Sequence, residues 1–349
     1  MSWRLGCNVL VWFAKVIGND KYRKTKNASY FCKMIGEDIQ TALEHLNKGD
    51  LVAIPTETVY GLAGNALNTE AIAKVYSTKN RPSFNPLIVH VANIEEAKKY
   101  VLDFPEDAEK LAKAFWPGPL TLLLKKNDLV PDVVTAGSDL VAIRVPNHPK
   151  TLELLSSLDF PLVAPSANPY QFISPTEANH VEEQLGNKIP YVLDGGACKL
   201  GIESTIIGFV DNEPIVFRLG SLTRDKIGKL INKTVRLNTS DGNAVAPGMQ
   251  KLHYAPSKKF FLGNLLQLTT IFKSKKLGVL SFSKPFKGSN IVLNKILSPT
   301  ENIAEAGANL FSYLHELEKA DVEAIVAERL PSNGIGNAIN DRLERAAGN

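Results

Sequence analysis

Leu51-Val52-Ala53-Ile54-Pro55-Thr56-Glu57-Thr58-Val59-Tyr60-Gly61-Leu62 is the stretch on which the fold turns. The apolar residues 51–54 read as a buried strand. Ahead of it, Ile39, Ala42, Leu43 and Leu46 recur at helical spacing, and Asn47-Lys48-Gly49-Asp50 supplies a glycine stop. After the strand come two hydroxyls, Thr56 and Thr58, then a helix entry containing Gly61, and one helix later the basic pair Lys79 and Arg81. Hydroxyls and backbone amides at a strand-to-helix junction, with Lys and Arg close by, suit a phosphate-bearing ligand. The expectation is nucleotide chemistry.

Working outward, the chain alternates. A patterned helix is expected to begin at Met34-Ile35-Gly36-Glu37-Asp38-Ile39, and residues 69–78 form another with Ala71, Ile72 and Val75 inward. Residues 87–91, 120–124, 141–145 and 162–164 are apolar runs of buried-strand type, while 94–101 and 107–115 look helical. This pattern predicts an α/β domain with a largely buried sheet over residues 35–237. Asn238-Thr239-Ser240-Asp241-Gly242 is polar and breaker-rich, so residues 238–258 read as a linker, unusual for its aromatic and basic content. Beyond it, a strand at 277–282, a helix striped by Ile303, Leu310, Leu314 and Leu317, and a strand at 324–327 predict a smaller α/β domain over 259–349.

The bulk composition agrees. A chain of 349 residues is long enough for two cores, and 22% charged with 44% hydrophobic residues is ordinary for a globular protein. The net charge of +4 is compatible with anionic ligands or weak binding of tRNA or double-stranded RNA, but is no strong basic footprint. Cys7, Cys32 and Cys198 are too scattered for a disulfide framework or a zinc site, which makes a reducing, cytoplasmic setting the default. No apolar run reaches the roughly 18 to 20 residues a membrane span needs. Residues 1–34 are basic, with Asp20 as the one acid among the first 33, and read either as a transit peptide or as a disordered leader or over-extended start.

Several residues carry candidate chemistry. Arg144 sits inside the apolar run Val141-Ala142-Ile143-Arg144-Val145, and Arg218 inside Ile215-Val216-Phe217-Arg218. A charge in a buried strand is rare unless paired, so both point to function. Ser166-Ala167-Asn168 follows a strand, where open α/β sheets place ligands, and Glu203-Ser204-Thr205 again sets hydroxyls against a strand. Taken alone, Lys79 and Arg81 fit a solvated helix end and His90 fits a core histidine. There is no G-x-S-x-G elbow, no G-x-x-x-x-G-K-[ST] loop, no C-x-x-C and no H-E-x-x-H. Cations and hydroxyls around strand ends suit positioning and charge stabilisation of a reacting phosphoanhydride better than a covalent intermediate.

At these residues a resemblance becomes specific. P-T-E-T-V-Y-G-L at 55–62, K-N-R-P-x-x-N-P-L-I-V-H at 79–90, F-W-P-G-P-L-T at 115–121, A-P-S-A-N at 164–168, and D-G-G followed by G-I-E-S-T-I-I at 201–207 resemble the YrdC-like family. The linker A-P-G-M-x-x-x-H-Y-A-P at 246–256 and G-I-G-N-A-I-N-D-R-L-E-R-A-A at 334–347 resemble the long, two-domain form of the threonylcarbamoyl-adenylate synthases. The resemblance implies a YrdC-like twisted open sheet with flanking helices, plus a smaller C-terminal Rossmann-like α/β domain.

It also implies a reaction: L-threonine, bicarbonate and ATP give threonylcarbamoyl-AMP and pyrophosphate, with magnesium as cofactor of the nucleotide. The product feeds a partner complex that modifies the adenosine beside the anticodon of tRNA. By resemblance, Lys79 and Arg81 are catalytic and also bind ATP. Thr56, His90, Thr121, Arg144 and Ser204 line the threonine pocket, while Asn85, Ser166, Asn168, Ser174 and Arg218 join the ATP site. Tyr254 folds over the nucleotide from the linker.

One departure stands out. The family commonly reads S-A-N-x-S-G-x-x-S-P-T, whereas here Tyr170 and Gln171 replace the small Ser-Gly pair ahead of Ser174. Gly tolerates backbone conformations that Gln disfavours, so the loop conformation is an open question. Two other readings stand beside the synthase. A non-catalytic RNA-binding relative would not need the second domain and linker. A carbamoyl-adenylate-forming enzyme of hydrogenase maturation would carry an acylphosphatase-like region and cysteine-rich zinc motifs, both missing here.

Overall fold

In the chain order of the computed structural model, which describes residues 34–238 and 253–348, helices and strands alternate as the apolar runs require. The first region comprises β1 (Ile35–Gly36), α1 (Ile39–Asn47), β2 (Val52–Ile54), β3 (Gly61–Asn65), α2 (Thr69–Lys79), β4 (Ile88–His90), α3 (Ile94–Lys98), α4 (Glu106–Phe115) and β5 (Leu120–Lys125). It continues through α5 (Asp132–Thr135), β6 (Leu140–Arg144), α6 (Pro149–Ser156), β7 (Leu162–Val163), α7 (Ala178–Leu185), β8 (Tyr191–Leu193), β9 (Thr205–Val210), β10 (Glu213–Arg218), α8 (Arg224–Ile231) and β11 (Arg236–Leu237). The strands form one sheet in the order β1-β8-β2-β3-β7-β4-β6-β5-β9-β10-β11. No described helix is long and apolar enough to cross a membrane.

Local chemistry sets the helix ends that matter for the site. Asn68 caps α2 by accepting from the amides of Glu70 and Ala71. At the other end Asn80 turns left-handed (φ 52°), its amide reaches Ser77 O, and the amide of Arg81 reaches Tyr76 O at 2.9 Å. This is a Schellman stop, and it reverses the chain between Lys79 and Arg81. The two cations therefore leave the helix end in different directions, Lys79 toward the carbonyls of Ser166 and Asn168 and Arg81 toward Asn85 and Pro86.

Two expectations are corrected. Ile35–Gly36 is not the start of a helix but a short strand, parallel to β8; the helix waits for the Asp38 cap, whose carboxylate accepts from Gln40 and Thr41. Gly61 does not enter a helix either. It opens β3, antiparallel to β2 and then to β7, because a Cβ at Gly61 would lie 3.0 Å from Ala164 and one at Gly64 3.0 Å from Leu51. Glycine serves close strand packing here. The sheet itself, whose topology the apolar runs left open, is mixed: β2–β3, β3–β7, β4–β7, β5–β6 and β9–β10 are antiparallel.

The second region holds β12 (Lys259–Leu262), α9 (Leu265–Ile271), β13 (Leu277–Ser281), β14 (Ile291–Ile296), α10 (Ile303–Lys319), β15 (Ala324–Ala327) and α11 (Gly336–Ala346). Its strands are all parallel, in the order β12-β15-β13-β14. The described residues from Ile35 onward pack as one unit, for a single apolar cluster joins Leu310, Phe311 and Leu314 of α10 to Val59, Ile173 and Ile202 of the first region, with Tyr254 between them. Each such side chain contributes about 1.5–3 kcal/mol by burial. All but the last residue of the expected leader, 1–34, and residues 239–252 of the expected linker lie outside the described residues.

Candidate active site

The loop between β2 and β3 forms one wall of a cavity of about 50 Å³, lined by Thr58, Val59, Arg81, Ile88, His90, Arg144, Ala164, Pro165, Ser166, Glu203, Arg218, His253 and Tyr254. Thr56 shapes that loop from within. Its hydroxyl accepts from the amides of Thr58 (3.1 Å) and Val59 (3.2 Å) and donates to Val59 O at 2.6 Å. Such a turn presents Thr58 rather than Thr56 to the cavity.

Arg144 and His90 end the neighbouring strands β6 and β4, in register with each other. The Arg144 guanidinium donates to Gly118 O (3.2 Å), Thr58 Oγ1 (3.1 Å) and Glu57 Oε1 (2.6 Å). The second oxygen of Glu57 accepts from the amide of Asn147 at 2.9 Å, so the buried acid is fully occupied. Burial first, and the nearby Arg144 cation second, push the His90 imidazole down to about 3. It is neutral at physiological pH.

Arg218 ends β10 and donates to Ser204 O and Ser204 Oγ at 3.0–3.1 Å. Ser204 Oγ also bonds Thr121 Oγ1 at 2.8 Å, at the start of β5. Thr121 and Ser204 thus support Arg218 from outside the lining. Arg81 donates to Asn85 O (3.2 Å), Asn85 Oδ1 (2.6 Å) and Pro86 O (2.8 Å). Burial lowers both arginines to about 10, leaving them cationic.

Lys79 stands behind this surface. Its ammonium donates to the carbonyls of Ser166 and Asn168, tying α2 to the loop that carries Ser166 into the lining. Burial, then the Arg81 cation, depress it well below the usual lysine range. The Asn168 amide donates to Pro169 O and Phe172 O, and Ser174 Oγ donates to Glu203 Oε1 at 2.8 Å. Of the expected residues, Arg81, His90, Arg144, Ser166, Arg218 and Tyr254 meet at the cavity, while Thr56, Lys79, Asn85, Thr121, Asn168, Ser174 and Ser204 brace it from the next layer.

Tyr254 seals the cavity from the linker side. It is 1% exposed, takes φ 64°, and packs on Phe311 with ring centroids 5.5 Å apart. Thr58, one of the two hydroxyls noted after the first strand, is in the lining, and three participants escaped the sequence reading: Glu57, Glu203 and His253. Each lies within a quoted motif, which was the one signal available. Asn85 Nδ2, Asn168 Oδ1 and His253 Nδ1 are buried without a hydrogen-bond partner, a feature that calls for an explanation. Among the described residues no group of three or more His, Cys, Asp or Glu could hold a metal.

The comparisons cover both regions. A family model described as telomere recombination, of the Sua5/YciO/YrdC type, matches residues 44–220. Another, described as the threonylcarbamoyl-AMP synthase C-terminal domain, matches residues 222–348. The threonylcarbamoyl-AMP synthase of Pyrococcus abyssi is 38% identical over 326 residues, which is 89% of this chain and 94% of that protein. The Bacillus subtilis enzyme of that name is 38% identical over 321 residues, 89% and 93% of the respective chains. The crystal structure of P. abyssi Sua5 complexed with L-threonine matches with a TM-score of 0.84 at 37% identity, covering 90% of this chain and 97% of that one. With both regions matched by family models and the fold matched over nine-tenths of the chain, the chain belongs to the threonylcarbamoyl-AMP synthases, enzymes of the nucleotidyltransferase type.

Proposed function

We propose that this chain makes threonylcarbamoyl-AMP and pyrophosphate from L-threonine, bicarbonate and ATP, and that the product is consumed by a tRNA threonylcarbamoyl-transfer complex acting next to the anticodon. The observation that carries this reading is the convergence of three buried arginines, Arg81, Arg144 and Arg218, with a neutral His90 on one small cavity.

Threonine's amine captures CO2 as a carbamate, and a carbamate oxygen attacks the α-phosphorus as pyrophosphate leaves. No protein nucleophile is required. The described cysteine, Cys198, is buried and its thiol is pushed up by that burial, away from thiolate chemistry. Arg144 spends three of its five N–H groups on Gly118, Thr58 and Glu57, leaving donors for the threonine carboxylate. Arg81 and Arg218 lie where charge builds on the phosphates, and preorganised cations in a dry site act strongly there. The unpartnered His253 Nδ1, on a residue of the lining, fits a group that awaits a ligand.

Size adds a condition. About 50 Å³ holds a water or two, whereas nucleotide pockets run to several hundred. On this reading His253 and Tyr254 move when ATP enters and settle over it afterwards, excluding water from a labile acyl-adenylate. Glu203, the carboxylate in the lining, already accepts from Ser174 and Arg342. Among the described residues no side-chain cluster builds a magnesium cage, and the ion is proposed to arrive on the ATP phosphates as part of the substrate.

The test is pyrophosphate release from ATP by the purified chain. Release that needs both threonine and bicarbonate, and is lost in Lys79→Ala and Arg144→Ala variants of intact fold, is expected. Release indifferent to threonine or bicarbonate would sink the reading.

A further inference from the structure

Besides the apolar contact of Phe311 with Tyr254, the second domain reaches the residues of the cavity through a charged side chain. α11 is anchored by Asn340, whose amide side chain exchanges hydrogen bonds of 2.9 Å with the N–H and the carbonyl of Leu330. Gly336 allows the approach, since a Cβ there would lie 2.0 Å from Pro331 O. Two residues past Asn340, Arg342 is 1% exposed, and each of its three guanidinium nitrogens donates a hydrogen bond. Its Nε donates to Glu203 Oε2 at 3.0 Å, Nη1 to Asp341 Oδ2 at 2.7 Å and Nη2 to Leu219 O at 2.7 Å, while its guanidinium carbon lies 5.2 Å from the centre of the Tyr254 ring.

Those contacts are not scattered. Glu203 precedes Ser204 and Leu219 follows Arg218, so one guanidinium grips both strands that bring Ser204 and Arg218 together. The same group holds Tyr254 by a cation–π contact. Glu203, Arg218 and Tyr254 all line the cavity. A buried ion pair contributes less to stability than well-packed apolar side chains would, so stability alone is a poor account of a guanidinium at this place. We infer that Arg342 is a positioning residue of the active site, through which the second domain sets Glu203, Arg218 and Tyr254 for nucleotide binding. The inference rests on the adenylate-forming reading above.

The experiment uses the full chain and four variants: Arg342→Met, Arg342→Lys, Glu203→Gln and the double variant Arg342→Met with Glu203→Gln. Melting temperature, pyrophosphate release over a range of ATP and threonine concentrations, and affinity for α,β-methylene-ATP are measured on each. Arg342→Met strands the Glu203 carboxylate and should melt earlier; the double variant removes that charge and should regain most of the loss. The expected signature is that KM for ATP stays raised about tenfold in the double variant while KM for threonine changes less than about twofold. Arg342→Lys keeps the cation near Tyr254 without the fork to Leu219 and should fall between. If the double variant recovers ATP affinity along with melting temperature, Arg342 is packing only and the inference fails. If the unaltered chain releases no pyrophosphate, the functional reading fails instead, and methylene-ATP affinity still decides: a loss of about tenfold in both Met variants supports the inference, and unchanged or absent binding overturns it.

Discussion

The amide of Ala255 donates to the carbonyl of Gln171 at 2.8 Å, although Gln171 must hold the left-handed φ of 71° to offer it. Phe172 pairs with Ala255 in an isolated bridge, and Tyr170 meets His253 edge-on with ring centroids 6.0 Å apart. The two residues that replace the usual Ser-Gly pair therefore dock the end of the linker onto the loop after β7. A glycine would adopt this conformation without the cost of roughly 1 kcal/mol that a side chain meets there.

Gln171→Gly should accordingly stabilise the chain by about 0.5–1 kcal/mol, offset in part by added freedom of the unfolded chain, a rise of about 1–2 °C in Tm. Differential scanning calorimetry reads it. A fall of similar size would mean that the Gln171 side chain contributes more than its backbone strain costs.

Tyr254→Ala should weaken ATP retention and divert product to AMP by hydrolysis, while Tyr254→Phe, which keeps a ring against Phe311 and Arg342, should do so far less. The alanine variant also loses about 3–5 kcal/mol of packing, so its melting temperature must be followed in parallel. ATP affinity and product yield unchanged in folded Tyr254→Ala would remove the lid role.

Much of this scaffold was legible in advance, and for physical reasons. The runs around Val89, Leu122 and Ile143 are apolar because both sheet faces are covered, and an arginine inside such a run, as at Arg144 and Arg218, is conspicuous. What escaped depends on partners far along the chain. Gly61 belongs to a strand because Ala164 crowds it, and nothing near residue 61 announces that neighbour. Glu57 and Glu203 look like ordinary surface acids until Arg144 and Arg342 arrive from elsewhere. Lys79 was legible as a cation of the site but not as a brace aimed at two carbonyls, because the direction of a helix end follows from the left-handed Asn80.

Glu57 should govern threonine through Arg144. In Glu57→Gln one side-chain acceptor is left where the Arg144 guanidinium and the Asn147 amide both donate. A loss of about 2–4 kcal/mol is expected, since breaking a buried pair exposes an uncompensated charge. Urea denaturation checks the stability. KM for threonine should rise about tenfold or more, with KM for ATP within about twofold. Equal rises in both would place Arg144 on general architecture rather than on threonine.

His180 of α7 and His315 of α10 stack across the junction of the two regions, centroids 3.9 Å apart and 15° from parallel. His180 Nδ1 accepts from the Thr176 amide, and His315 Nε2 donates to Ser174 O at 3.2 Å. Burial, then Lys319, pushes His180 down to about 4; burial, then His180, pushes His315 down to about 3. Lys319, Glu183 and Glu316 are the charged groups around them. A folded-state value below the unfolded one, about 6.5, means that the unfolded chain binds protons first, so stability is whole above pH 6.5 and drains as pH falls towards 4. Each ring can contribute a slope of up to about 1.4 kcal/mol per pH unit in that window. The double variant His180→Gln with His315→Gln should flatten the profile between pH 6.5 and 4.5, leaving the part due to the other depressed histidines, His90, His148 and His253. Urea titrations at pH 7.5, 6.0 and 5.0 measure it, and identical slopes in the two proteins would show that this stack does not report acid to the junction.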